Sequence, residues 1–179
     1  MYQDLYKMVV QLIIGPMYAG KTTKLFELYN KISGTIIDFG DCETTRGIVK
    51  NHKGEIKECI RTNRLCSVES CKNITEGEFI YETTIYINEA QFFPDLIDFV
   101  QKYESTKDIR IYGLDGDYLR KPFGQILDVI PYCDNVEKIT GVCVCGKTSI
   151  HSKRVTQHIE QFLLDETAYV PACRICYKL

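Results

Sequence analysis

The chain has 179 residues, 45% of them hydrophobic and 26% charged. This length fits one ordinary domain with a small appendage, and the balance lies far from the charged, hydrophobe-poor composition of disordered chains. A net charge of −2 and a pI of about 5.9 exclude the basic footprint of a nucleic-acid-polymer binder, and no apolar run is long enough to span a bilayer.

From Met8 to Ile14 the chain is apolar and β-branched apart from Gln11, the composition of a strand covered on both faces. A turn bearing glycines follows, and Lys21 to Ile32 then sets Leu25, Leu28 and Ile32 at helical spacing. Short β-prone runs recur at Thr35–Phe39, Thr84–Ile87 and Ile109–Tyr112, with a helix expected from Pro94 to Tyr103 on the stripe Leu96, Ile97 and Val100. Such alternation predicts an α/β fold, a parallel sheet with helices on both faces, which the glycine motif described below makes P-loop NTPase-like. Arg46 to Gly77 is polar and weakly periodic, a long excursion compatible with a hairpin.

Composition changes after Ile139, where paired thiols replace helical periodicity. The expected division is an α/β domain over 1–139 and a metal-stapled subdomain over 140–179. Nine cysteines are an odd count, and no secretory signal accompanies them, so a cytoplasmic location is expected instead of a disulfide framework. Cys173 and Cys176 form a C-x-x-C half-site for tetrahedral Zn²⁺, with Cys143 and Cys145 as partner pair; His151 or Cys133 could replace one of these. His52, His151 and His158 carry no spacing signature and read as polar surface residues.

The segment Gly15-Pro16-Met17-Tyr18-Ala19-Gly20-Lys21-Thr22 satisfies G-x-x-x-x-G-K-[ST] between an expected strand and an expected helix. Its glycines let backbone N–H groups face an anion at a helix N-terminus; Lys21 would reach the β- and γ-phosphates, and the Thr22 hydroxyl would ligate Mg²⁺. The motif implies a nucleoside triphosphate and leaves the fate of its γ-phosphate open. Glu89, just past the run Thr84–Ile87, stands at the edge where open α/β sheets bind ligands and can take a proton from an attacking hydroxyl. Phe92 and Phe93 could stack on a planar base or belong to the core.

Three blocks, Gly15 to Thr22, Asn88 to Phe93 and Leu114 to Gly124, together with Tyr169 to Cys176, resemble the motifs of the thymidine kinase family of the small, zinc-containing, tetrameric type. The family's G-P-M-F-[SA]-G-K-[ST], D-E-[AG]-Q-F-F, L-D-G-x-[FY]-x-R-K-P-F-G and Y-x-x-x-C-R-x-C occur in its order across most of the chain. The resemblance implies ATP-dependent phosphorylation of deoxythymidine at the 5′-hydroxyl with Mg²⁺, yielding dTMP for DNA synthesis. It implies Glu89 as base, Arg46 at phosphate or the 5′-hydroxyl, and a thymidine pocket of Met17, Phe92, Leu114, Tyr118, Phe123 and Tyr169. It further implies a lasso-like loop before Tyr169 that closes over the base, a structural zinc, a homotetramer and feedback by dTTP.

Three positions depart from the family pattern. The acidic residue before the catalytic Glu is Asn88, which keeps an oxygen for Mg²⁺ and loses the charge. Thr44 replaces the Asp of the D-x-R setting, and Phe162-Leu163-Leu164-Asp165-Glu166 stands where the lasso glycines belong. These departures keep two other readings in view: a kinase for a different deoxynucleoside, and a nucleotide-binding protein whose turnover is impaired by Asn88.

Overall fold

A computed structural model describes residues 8–40, 44–70, 83–163 and 165–179. The first strand, β1 (Val10–Ile14), leads through the glycine turn into α1 (Lys21–Tyr29), and β2 (Thr35–Phe39) follows. Next come β3 (Thr45–Lys50), β4 (Ile56–Thr62), β5 (Thr84–Ile87), α2 (Leu96–Tyr103), β6 (Asp108–Gly113) and β7 (Asn135–Lys138). These strands form one seven-stranded sheet in the order β3-β4-β2-β5-β6-β1-β7, parallel throughout except for β3.

Alternation along each strand divides the core in two. Val10, Leu12 and Ile14 point to one face with Ile85, Ile87, Ile109 and Ile111, where Leu96, Phe99 and Val100 of α2 cover them. Ile13, Ile36, Tyr86 and Tyr112 point to the other, under Leu25 and Phe26 of α1. The strands are apolar on both faces because a helix lies on each, as the sequence pattern predicts.

Several boundaries differ from expectation for local reasons. The first helix ends at Tyr29, and Ile32, expected on its apolar stripe, is 41% exposed beyond it. The second begins at Leu96, after the buried Asp95, whose carboxylate accepts the N–H groups of Leu65 (3.0 Å) and Cys66 (2.9 Å) and so caps a neighbouring 3₁₀ turn and not its own helix. Within the excursion expected over Arg46–Gly77, β3 and β4 form an antiparallel hairpin pairing Arg46 with Ile60; residues 71–77 lie outside the described part. The polar edge strand β7 had no sequence signal, since its four residues are mostly exposed.

Beyond Ile139, whose N–H donates to the Ile14 carbonyl (2.8 Å), the chain forms two small antiparallel pairs. Strand β8 (Gly141–Val142) pairs with β9 (Thr148–Ser149), and β10 (His151–Arg154) with β11 (Tyr169–Ala172); a short helix, α3 (Arg174–Lys178), ends the chain.

Candidate functional site

Parallel strands bring their C-terminal ends to one edge, and there Gly15, Gly40, Asn88 and Leu114 follow β1, β2, β5 and β6. A cavity of about 860 Å³ opens at this edge; its polar lining includes Lys21, Thr22, Asp38, Asn88 and Glu89, and its apolar and aromatic lining Phe92, Leu114, Tyr118, Phe123 and Tyr169. Met17 and Tyr18 also line it.

The turn from β1 into α1 depends on its glycines. A Cβ on Gly15 would stand 2.4 Å from the Ile139 carbonyl oxygen, and Gly20, the residue before α1, has φ +87°, a conformation that L side chains rarely adopt. No side chain caps α1, so the N–H groups of its first turn remain available for an anion. Lys21 is buried, its Nζ donating to the carbonyls of Gly15 (3.1 Å) and Pro16 (2.8 Å). Burial pushes its pKa down, while the charges of Glu89 and Asp115 pull it back up. The loop is tied to the C-terminal region through Met17 N–H, which donates to Ser152 Oγ (2.9 Å).

Glu89 is held in the left-handed region at φ 51°, ψ 41°, a costly conformation for a residue with a Cβ. Its Oε2 accepts from Gln91 Nε2 (2.7 Å), and Gln91 Oε1 accepts the N–H of Leu114 (2.9 Å), so one buried amide joins the loops after β5 and β6. Asn88 Nδ2 donates to Asp38 Oδ1 (2.8 Å), and Arg61 pairs with Asp38 Oδ2 (3.2 Å). Burial raises the Asp38 pKa and Glu89 adds to that rise; the hydrogen bond from Asn88 and the Arg61 charge oppose it.

Asp38 therefore supplies a carboxylate beside the position where Asn88 lacks one. The sequence reading missed Asp38, Arg61 and Gln91, although a charge inside the apolar run Thr35–Phe39 was a usable signal. Arg46 is exposed on β3 and outside the cavity lining, where Arg61 is the arginine present.

The two phenylalanines after Gln91 divide their roles. Phe93 is core, 1% exposed, whereas Phe92 faces the cavity with ring centroids 4.9 Å from Phe39, 5.2 Å from Phe123 and 4.9 Å from Phe162. His52, read as a surface residue, is exposed but stacks at 5.0 Å on Tyr18, and both line the cavity mouth. His151 packs on Tyr177 at 5.0 Å, and burial lowers its pKa.

At the far end of the C-terminal region, the sulfurs of Cys143, Cys145, Cys173 and Cys176 all lie within 4.8 Å of one another. Two of the separations, 3.5 Å for Cys143–Cys145 and 3.7 Å for Cys145–Cys173, match the roughly 3.8 Å edge of a tetrahedral thiolate zinc site with 2.3 Å bonds. The C-x-C pair thus supplies both its thiols; Cys133 instead donates to the Val129 carbonyl (3.3 Å). Backbone N–H groups, that of Cys145 foremost, lower the Cys143 pKa to about 6, while crowding by the other three sulfurs, Cys145 foremost, pushes Cys176 up to about 12. A divalent cation would relieve that crowding, and the cluster could hold a structural metal, consistent with zinc.

The family model described as thymidine kinase matches residues 8–177. A thymidine kinase of Oryza sativa subsp. japonica is 36% identical across 98% of this chain and 68% of its own length. The thymidine kinase of vaccinia virus (strain Ankara) is 33% identical, and that of variola virus 34%, each across 94% of this chain and 96% of the viral protein. A match spanning the glycine turn, the β5 edge and the four-thiol cluster alike means that the chain belongs to the thymidine kinase family.

Proposed function

We propose that this protein is an ATP-dependent thymidine kinase, moving the γ-phosphoryl group of ATP to the 5′-hydroxyl of deoxythymidine. The observation that carries the reading is one cavity lined by two unlike sets of groups: a buried lysine, an uncapped helix N-terminus and Glu89, and beside them a cluster of aromatic rings. Family membership favours neither a kinase for another deoxynucleoside nor a binding protein without turnover.

The phosphates of ATP lie along Gly15, Pro16, Met17, Tyr18, Ala19, Gly20, Lys21 and Thr22, where main-chain N–H groups and the Lys21 ammonium offset their charge. Deoxythymidine sits against Met17, Phe92, Leu114, Tyr118, Phe123 and Tyr169, its 5′-oxygen toward Glu89. The Glu89 carboxylate takes the hydroxyl proton as the oxygen attacks phosphorus, and Gln91 keeps that carboxylate aimed. Arg61 is the cation offered to the phosphate region; the family role for Arg46 would require the β3 hairpin to approach the nucleotide.

Mg²⁺ fits the oxygen donors present. Because Asn88 Nδ2 is committed to Asp38, its Oδ1 is the atom left for a hard cation, together with the Thr22 hydroxyl. Bound there, the ion would neutralise charge on the transferring phosphoryl group. The four thiolates would hold Zn²⁺ as a staple, making residues 140–179 a zinc-binding, base-covering subdomain on a nucleotide-binding domain of residues 1–139. Homotetramer assembly and feedback by dTTP are what the family resemblance implies, and a cytoplasmic location is what the odd cysteine count suggests; among the described residues no helix is long and apolar enough to cross a membrane.

The test is a transfer assay with ATP, Mg²⁺ and deoxythymidine, with deoxycytidine and deoxyguanosine as competitors. Formation of dTMP with little product from the others is expected. No dTMP while ATP binding is intact would reject the kinase reading.

A further inference from the structure

Residues 155–162 are all exposed and belong to no helix or strand, so side-chain burial contributes little to the shape of this segment. One side chain does much of the shaping. Arg154, at the end of β10, is itself only 8% exposed. Its Nη1 donates to the carbonyls of His158 (3.0 Å) and Glu160; its Nη2 donates to the Gln161 carbonyl (3.3 Å) and to the Tyr169 hydroxyl. The guanidinium plane lies 3.7 Å over the Tyr118 ring and 5.0 Å from that of Tyr169. Only a planar fork with several fixed donors can gather three carbonyls and lie flat on a ring together.

Further bonds tighten the same stretch. Tyr118 OH donates to the Ile159 carbonyl (3.2 Å), Gln161 Nε2 donates to Asp117 (3.3 Å), and Leu163 N–H donates to the Tyr169 hydroxyl (2.9 Å). Phe162 is thereby clamped between two anchored neighbours. Its ring lies 4.9 Å from Phe92 at 62° and 6.1 Å from Phe123 at 34°, lines the cavity, and is 40% exposed. An aromatic ring fixed on a cavity wall with a free surface is a stacking partner for a planar heterocycle.

We propose that Phe162 is a base-binding residue that extends the aromatic wall of Phe92 and Phe123 and offers its free face to the pyrimidine of the deoxynucleoside, and that Arg154 is the positioning residue that presents it. This rests on the kinase reading above. Here, where the family pattern has glycines, recognition of the base passes to a side chain. Phe162 supplies stacking area, and Arg154 sets its place through the carbonyls on the N-terminal side.

The test compares the wild type with Phe162→Ala, Phe162→Tyr, Arg154→Lys and Arg154→Ala, each checked for wild-type metal content and a cooperative melt. Deoxythymidine binding is read by calorimetry, and KM and kcat by steady-state kinetics. Phe162→Ala should weaken deoxythymidine binding roughly tenfold, the scale of losing one base–aromatic stack, with KM for ATP and saturating kcat within about twofold. Phe162→Tyr should restore affinity. Both arginine variants should raise the deoxythymidine KM, lose protection against proteolysis within 155–163, and leave the ATP KM unchanged, with added guanidinium ion partly rescuing Arg154→Ala. Wild-type affinity in Phe162→Ala, or wild-type affinity and protection in both arginine variants, overturns the proposal while the kinase reading stands. A wild type that neither binds nor phosphorylates deoxythymidine rejects that reading and this proposal together.

Discussion

The polar and the aromatic parts of the cavity lining are built by different physics. At the sheet edge the groups of the polar part are main-chain amides and side chains seated on strands whose neighbours are 0–2% exposed, as with Leu12, Ile13, Ile87 and Ile111. At the aromatic part a segment whose one ring contact is Phe162 is held by the Arg154 guanidinium, two tyrosine hydroxyls and the Asp117 carboxylate. A buried sheet resists local opening, whereas a loop tied by a handful of polar bonds has little stability of its own. The polar part should tolerate perturbation of the aromatic part, and the reverse should fail only where chemistry itself is removed.

The largest expected effect lies at the sheet edge. Glu89→Gln preserves size and a hydrogen-bonding side chain, so ATP and deoxythymidine binding should persist while kcat falls by about 10²- to 10⁴-fold, the range for losing a general base. Single-turnover transfer measured beside calorimetric binding checks this; near-normal kcat would remove Glu89 from the chemistry.

Metal removal should separate the two parts. Cys173→Ser, or chelation of the metal, should raise the deoxythymidine KM by roughly tenfold or more as the staple is lost, with ATP affinity within about twofold of wild type. Equal loss of both affinities would mean that the two parts are not independent.

How much of this was legible in sequence follows the same divide. Main-chain phosphate sites require glycine at set positions, and a sheet buried on both faces requires β-branched runs, so the glycine turn, four central strands and both main helices could be read from residue types alone. The four thiols were legible because metal ligands come in close pairs. Arg154 and Phe162 were not, because a loop shaped by bonds from one side chain to distant carbonyls leaves no periodicity. Asp38 escaped for another reason: its partners Asn88 and Arg61 come from β-strand neighbours far along the chain, and only the parallel pairing of β2 with β5 and β4 brings them together.

That trio yields a smaller effect with an unexpected sign. Restoring the family acid through Asn88→Asp would set a second carboxylate against Asp38 Oδ1, now 2.8 Å from the amide. Two carboxylates so close cannot both ionise without penalty, and a buried acceptor loses its donor. The single variant should lose roughly 1–3 kcal/mol of stability in urea, and the pair Asp38→Asn/Asn88→Asp should recover much of it. Additive losses in that cycle would mean that the two residues do not interact.

The smallest effect belongs to the rigid region. Tyr86 donates its hydroxyl to the Ile32 carbonyl (2.7 Å), and burial raises its pKa from 10.0 to about 12. A raised pKa means that the folded state holds the proton more tightly, so this contribution is complete below pH 10 and is lost as pH rises through about 12. Tyr86→Phe should cost about 0.5–1.5 kcal/mol at neutral pH and flatten the alkaline decline, as read from thermal melts between pH 8 and 12. An unchanged slope would mean that Tyr86 does not titrate in that window.

The account turns on where a bound sugar alcohol lies relative to Glu89. A crystal structure with deoxythymidine and a non-hydrolysable ATP analogue tests this directly. The expected result is a 5′-oxygen within about 3.2 Å of the Glu89 carboxylate, in line with the γ-phosphate, and the base against Phe92. A 5′-oxygen turned away from Glu89, or a base lodged elsewhere than the aromatic wall, would contradict it.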